Sequence, residues 1–169
     1  MRKIETGDPK RTRTGRSVGV LMALIFLVQF SMPLCFGQEL AGIPSSVKNP
    51  HDLEKWLSGF KSQMQLPDVP QTAQEMLTTR AGDCDDFATL ASKALAGLGI
   101  SSTVLVIKFK DSNIRHAICL WKDENGSYDF FTTKKLVHAG EQNVDGVMKR
   151  YYPNSESVSA LDIGERSAL

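Results

Sequence analysis

The stretch with the most chemical potential is Thr79-Arg80-Ala81-Gly82-Asp83-Cys84-Asp85-Asp86-Phe87-Ala88, which sets one cysteine among acids, just after a glycine and just before an apolar helical pattern. A cysteine in the first turn of a helix has its thiolate favoured by backbone N–H groups and the helix dipole. The same amides can hold a developing oxyanion. These properties suit a nucleophile, which also needs a base, and the chain offers His51, His116 and His138. Only His116 falls inside a predicted strand beside the cysteine helix. A cysteine on an apolar helix face ordinarily just packs, and a lone strand histidine is ordinarily structural. The combination of a helix-heading cysteine and a downstream strand histidine in one small domain points beyond packing. The neighbouring acids act against it: Asp83 is placed to cap the helix, and Asp85 and Asp86 fall in its first turn, where the dipole stabilises carboxylates but their charge opposes a thiolate.

The elements that must position these groups follow from periodicity. Asn49-Pro50 supplies an N-cap and a first-turn proline for a helix predicted from Pro50 to Met64, with Leu53, Trp56, Leu57 and Phe60 on one face. Pro67 and Pro70 then open a loop, and a short helix from Gln71 or Thr72 carries Met76 and Leu77 up to Arg80. In the helix that Cys84 heads, Phe87, Ala88, Ala91, Ala94, Leu95 and Leu98 share the cysteine's face, and Gly97 and Gly99 mark its end. Small alanines at 88, 91 and 94 allow close approach to a sheet. Strands are predicted over Thr103 to Lys110, Arg115 to Lys122 and Tyr128 to Thr133, the last two joined by an Asn125-Gly126 hairpin turn. Alternation in the middle strand sets His116, Ile118 and Leu120 against Ala117, Cys119 and Trp121. N-terminal helices and a central cysteine helix on an antiparallel sheet of three strands, or slightly more, make an α+β architecture. Val144, Val147, Met148 and Tyr151 are spaced as a last amphipathic helix, and residues 153–169 are expected to form a flexible tail.

Composition bounds the remaining possibilities. With 20 Lys+Arg against 19 Asp+Glu in 169 residues, the chain carries no electrostatic footprint of nucleic-acid binding. Its basic residues cluster early: Arg2, Lys3, Lys10, Arg11, Arg13 and Arg16 precede an apolar run from Val18 to Phe30, followed by Pro33 and the small-residue site Cys35-Phe36-Gly37. This pattern predicts a secretory signal peptide over 1–37, or an uncleaved N-terminal anchor, because the run approaches the ~20 residues that span a bilayer. Export to a periplasmic or secreted location follows, with membrane attachment only if the segment is retained. Residues 38–48 read as a linker and 49–152 as the folded domain. The roughly 130 residues after a signal would bury a core without staples. Cys84 and Cys119 would remain where disulfides are permitted, although a helix start and a mid-strand position argue against their pairing.

The segments Arg80-Ala81-Gly82-Asp83-Cys84-Asp85-Asp86-Phe87-Ala88, Leu95-Ala96-Gly97-Leu98-Gly99-Ile100 and His116-Ala117-Ile118 together resemble the transglutaminase-like superfamily of papain-fold cysteine enzymes, in particular the small bacterial transglutaminase-like cysteine proteinases. The resemblance extends over roughly Thr72 to Leu136. It implies a papain-like fold, Cys84 as a nucleophile that forms a thioester with an amide substrate, and His116 as the base that later protonates the leaving amine. It implies a peptide or protein substrate, with hydrolysis or, alternatively, transfer to an amine, and no required cofactor.

The resemblance also implies a third residue on the next strand to orient the imidazole, usually Asp or Asn. Asp129 is the only carboxylate in that strand and is the chemical nominee. The hairpin register disagrees: the residue opposite His116 falls near Thr132 to Lys135, and Asp129 would sit about four residues away, roughly 13 Å at ~3.3 Å per residue; the Tyr-x-x-x-Asp-Asn-like ending that the resemblance implies lines up with Tyr128 to Thr133 and puts Thr132 in the Asp slot. A bulge could bring Asp129 over. Some exported relatives hold calcium with acids flanking the cysteine, and Asp83 and Asp85 occupy those positions, although helix capping also accounts for them. A non-catalytic module that binds a peptide or protein beside Cys84 is the alternative function.

Overall fold

In the computed structural model, which describes residues 40–64 and 69–163, helix α1 spans Pro50–Leu57. The predicted signal or anchor segment and the last residues of the expected tail lie outside the described residues. Asn49 caps α1 by accepting from the Asp52 N–H at 2.9 Å, and Leu53 and Leu57 are buried. The helix does not reach Met64 as its periodicity suggested, because the chain after Gly59 takes up hydrogen bonds elsewhere. Strand β1 (Lys61–Ser62) pairs in parallel with β2 (Ala81–Gly82), the N–H groups of Lys61 and Gln63 donating to the carbonyls of Arg80 and Gly82 at 2.8 Å each. Phe60 still packs inward, edge-on to Trp56 at 4.9 Å, while the Arg80 guanidinium stands 4.3 Å from its ring centroid. This ribbon fixes the backbone immediately ahead of Cys84.

Helix α2 (Ala73–Thr79) begins with a reciprocal cap between Thr72 and Glu75 and ends at Arg80 in the left-handed region. Helix α3 (Cys84–Gly97) starts from Asp83 as its N-cap. It closes with Gly99 at φ +77 and the Ile100 N–H on the Leu95 carbonyl, a termination for which glycine carries no steric penalty.

The sheet follows: β3 (Ser102–Phe109), β4 (Arg115–Lys122), β5 (Tyr128–Thr132) and β6 (Lys135–Glu141), then helix α4 (Val144–Tyr151) and β7 (Ser155–Leu161). Its antiparallel order is β6-β5-β4-β3-β7, so the expected three strands are extended at both edges to five. The expected tail is corrected most plainly, since Ser155–Leu161 pairs with β3 from Val104 to Phe109. Serine-rich and mostly exposed, β7 has no strong apolar alternation; backbone hydrogen bonds to a strand distant in sequence hold it as an edge. The expected linker is also corrected over its described part. Val47 is buried, and Leu40 and Ile43 pack on the core.

Strand alternation divides the core as expected. Ala117, Cys119, Trp121 and Phe131 face α3, whose Phe87, Leu90, Ala91 and Leu95 complete that layer with Leu53 and Leu57 of α1. Ile118, Leu120 and Phe130 face the other way, covered by Val147 and Met148 of α4. At roughly 1.5–3 kcal/mol for each large apolar side chain removed from water, these two layers supply the main favourable term for the fold. Among the described residues, no helix is long and apolar enough to cross a membrane.

The turn from β5 to β6 carries strain beside the site. Thr133 has φ +53, a left-handed conformation that costs a β-branched residue about 1–2 kcal/mol. Thr133→Gly is therefore expected to stabilise the protein by about 0.5–1 kcal/mol after the extra entropy of glycine in the unfolded chain is subtracted. Urea denaturation checks this, and a lower midpoint for the variant would contradict it.

Candidate active site

The approach to Cys84 is organised by a buried acid. Asp86, only 2 % exposed, accepts from the Gln71 backbone N–H at 2.7 Å, from Gln71 Nε2 at 2.9 Å and from the Asp83 N–H at 3.1 Å. Gln71 Nε2 also donates to the Ala81 carbonyl, and Thr79 Oγ1 to Gln71 Oε1, at 2.9 Å each. One carboxylate thus ties together the entry to α2, the β2 strand and the first turn of α3. Gly82 is required by the same packing, because a Cβ there would stand 2.7 Å from Asp86 Oδ2. Sequence reasoning assigned Asp86 only to the helix dipole. The Asp-x-x-Asp spacing of a reciprocal cap was the available signal.

Cys84 is the first residue of α3 and is partly buried. Its thiol interacts with the backbone N–H of Ala117, placing sulfur against β4 one residue beyond His116. Burial pushes the thiol above its ordinary range, and the charges of Asp85 and Asp83 push the same way; the N–H groups of Ala117 and Cys84 itself oppose this without reversing it. The helix start therefore does not outweigh burial and the acids at the Cys84 thiol. Cys119 is fully buried beside Ser92 and Ser102 and pushed up to about 12 by burial, so the two free thiols differ sharply in accessibility.

A pH dependence follows from these directions. Since both burial and the acids disfavour the charged form, the thiolate fraction of Cys84 grows as pH rises, with no plateau on the acid side of the ordinary thiol range. Alkylation by iodoacetamide should climb about tenfold per pH unit below the thiol's pKa. Asp85→Asn removes one opposing charge and should raise the rate at fixed pH. A plateau at neutral or lower pH would instead reveal a preformed thiolate–imidazolium pair.

His116 is the second residue of β4, on the face of Ile118 and Leu120, away from α3, and burial lowers its imidazole below the ordinary histidine range. Its Nε2 is 2.9 Å from Thr132 Oγ1, a contact in which either group can donate, so Nδ1 is the ring nitrogen that Thr132 does not engage. The β4–β5 register pairs Ile118 with Thr132 and Trp121 with Asp129. No bulge lies between these strands. Asp129 is consequently corrected as the partner of His116: it aligns five residues farther along β4, roughly 17 Å at ~3.3 Å per residue. Its carboxylate, nearly buried, instead meets His138 Nδ1 at 2.8 Å, and the His138 ring lies 5.2 Å from that of His51. The three histidines thus divide: His116 meets Thr132, His138 meets Asp129, and His51 lies against His138. The hairpin carrying Thr132 is tied to α1 and the turn after it, the Leu136 N–H donating to Glu54 Oε1 and Lys134 Nζ to the Phe60 carbonyl, both at 3.0 Å.

Among the described residues, Asp83, Cys84 and Asp85 form the one group of three or more metal-ligating side chains with atoms within 4.8 Å of one another. The donor set is two carboxylates and a thiol, whereas calcium takes six to eight oxygens. The residues present do not fit a calcium cage.

Comparison with known proteins bears on this arrangement. A family model for a transglutaminase-like domain matches residues 46–137, more than half of the chain. No curated protein matches. Among solved structures, a candidate cysteine protease from Cytophaga hutchinsonii aligns with a TM-score of 0.44 and 17 % identity, over 73 % of this chain and 45 % of that one. The chain therefore spans less than half the length of that protein.

Proposed function

Because the chain belongs to the transglutaminase-like domain family, we propose that it is an exported cysteine hydrolase that cleaves peptide or amide bonds through a thioester on Cys84. The supporting observation is the position of the thiol, at the start of α3 and against the backbone N–H of Ala117, the residue that follows His116, whose Nε2 lies 2.9 Å from Thr132 Oγ1. Both groups rest neutral in this reading, so proton transfer accompanies attack. Sγ bonds to the carbonyl carbon while its proton passes to His116 Nδ1. The carbon–nitrogen bond then breaks, and the leaving amine takes that proton. Water adds to the thioester with His116 again as base, releasing the acid and restoring the thiol. A helix start such as that of α3 presents backbone N–H groups of the kind suited to hold an oxyanion. The export part rests on the basic residues and apolar run ahead of Gly37.

The direct test is intact-protein mass spectrometry after mixing with an activated ester as acyl donor, followed by peptide mapping. An acyl adduct on Cys84 and none on Cys119 is expected; a protein that acquires no adduct would refute the hydrolase. The lowered imidazole, the raised thiol and the threonine in place of an acid favour a second reading, a non-catalytic module that holds a peptide beside Cys84. That module predicts saturable peptide binding that survives Cys84→Ala.

A further inference from the structure

Asp129, which register takes away from His116, stands behind a different imidazole. Asp129 and His138 are direct partners across β5 and β6, and Asp129 Oδ2 lies 2.8 Å from His138 Nδ1. A carboxylate only accepts, so Nδ1 carries the hydrogen and the lone pair of the neutral ring lies on Nε2. The acid is nearly buried, whereas the histidine side chain is 60 % exposed, so a fixed group holds a ring that reaches solvent. Metal-binding histidines receive this kind of support: a carboxylate behind one nitrogen fixes the ring and raises the basicity of the other.

Helix α1 brings a second imidazole to the same place. The Leu136 N–H donates to Glu54 Oε1, which sets α1 in register along β6. His51 lies three residues before Glu54, on the same side of the helix, and His138 lies two residues after Leu136, on the same side of the strand. Buried Leu53 and Leu57 keep the helix on the sheet. The two rings therefore meet, their centroids 5.2 Å apart and their planes tilted by 50°. Metal–nitrogen bonds of about 2.0–2.1 Å at a tetrahedral angle would place two imidazole centroids roughly 5 Å apart. The spacing suits one shared ion.

We propose that His51 and His138 form a binding site for a divalent transition metal of the zinc, copper or nickel class, with Asp129 orienting His138 and water completing the coordination. Imidazole nitrogen suits these ions. The positive end of α1 opposes a cation at His51, and the charge of Asp129 behind His138 offsets it. Bound there, the ion joins α1 to the edge strand β6 and stabilises the docked helix. The site is separate from the thiol, because Asp129 aligns with Trp121, five residues along β4 from His116. The inference goes beyond the hydrolase reading and does not depend on it.

The test uses untagged Cys84→Ala protein, so that the thiol contributes no ligand. With one equivalent of Cu2+, electron paramagnetic resonance should show hyperfine coupling to two imidazole nitrogens. Adding Zn2+ should raise Tm, because the ion binds only the folded arrangement. His51→Asn, on an exposed position, should keep its parent's Tm without metal, lose the zinc-induced rise and lower zinc affinity at least tenfold. His138→Asn should lower zinc affinity likewise, and Asp129→Asn, which keeps an acceptor but loses the charge, should lower it about tenfold. A copper spectrum with one imidazole or none, or unchanged zinc affinity in His51→Asn, would overturn the site. Unchanged affinity in Asp129→Asn would overturn the role given to Asp129.

Discussion

Cys84→Ala is expected to abolish covalent labelling by an alkylating probe under native conditions and to reduce any peptide hydrolysis to background. The contrast between the two thiols makes the result clean. Cys119 is fully buried and pushed up to about 12, so it contributes neither thiolate nor access while the fold is intact. Cys84 is partly open and lies where a helix start and β4 meet. Removing a nucleophile costs the whole covalent route, and losses of about 10⁶-fold in kcat are known when a catalytic nucleophile is deleted. Stability should change little by comparison, because the thiol is only partly buried. Hydrolysis that persists at the wild-type rate in Cys84→Ala would place the chemistry elsewhere. Native labelling that persists there would mean that Cys119 is reached by local opening.

The second large effect concerns folding. Asp86→Ala should destabilise the protein by about 3 kcal/mol or more, because the Gln71 N–H, Gln71 Nε2 and Asp83 N–H all lose their acceptor, at roughly 1–3 kcal/mol for each buried donor left unsatisfied. For a domain of this size that is a fall of about 10 °C in Tm. Asp86→Asn should lie between the two, since one carbonyl oxygen cannot serve both the Oδ1 and the Oδ2 partners and the amide nitrogen turns a donor toward a donor. Calorimetry decides it. A loss below about 1 kcal/mol in the alanine variant, the ordinary range for an exposed helical acid, would mean that water replaces the carboxylate. The same variant should loosen the segment ahead of Cys84, so its native alkylation rate reports the network independently of stability.

Local signals carried much of this architecture. Asn49-Pro50, Thr72 with Glu75, and Asp83 ahead of α3 are start signals that act within one turn of chain, and each lies at a helix start. Alternation in Arg115–Lys122 separated the α3 face of the sheet from the α4 face because a strand's side-chain period is two whatever surrounds it. The Asn125-Gly126 turn was enough to count residues across the hairpin and bring Thr132, not Asp129, near His116. Elements without such signals were missed. β7 is a serine-rich edge held by backbone bonds to β3, and α1 stops early because the chain after Gly59 pairs with the residues ahead of Cys84.

From its residues alone, the sequence determined the family to which the chain belongs, the α+β class, and the cysteine and histidine that the family frame nominates, because those depend on residue types at short, regular spacings. Tertiary structure decided what surrounds them. Asp129 goes to His138 because register, not chemical suitability, determines which side chains meet across a sheet. Burial and two neighbouring carboxylates outweigh the helix start at the Cys84 thiol, a balance that needs the packed environment to evaluate. Tyr152, past an intervening helix, brings its ring to 6.0 Å from that of His116 only because α4 folds back over the sheet and ends there.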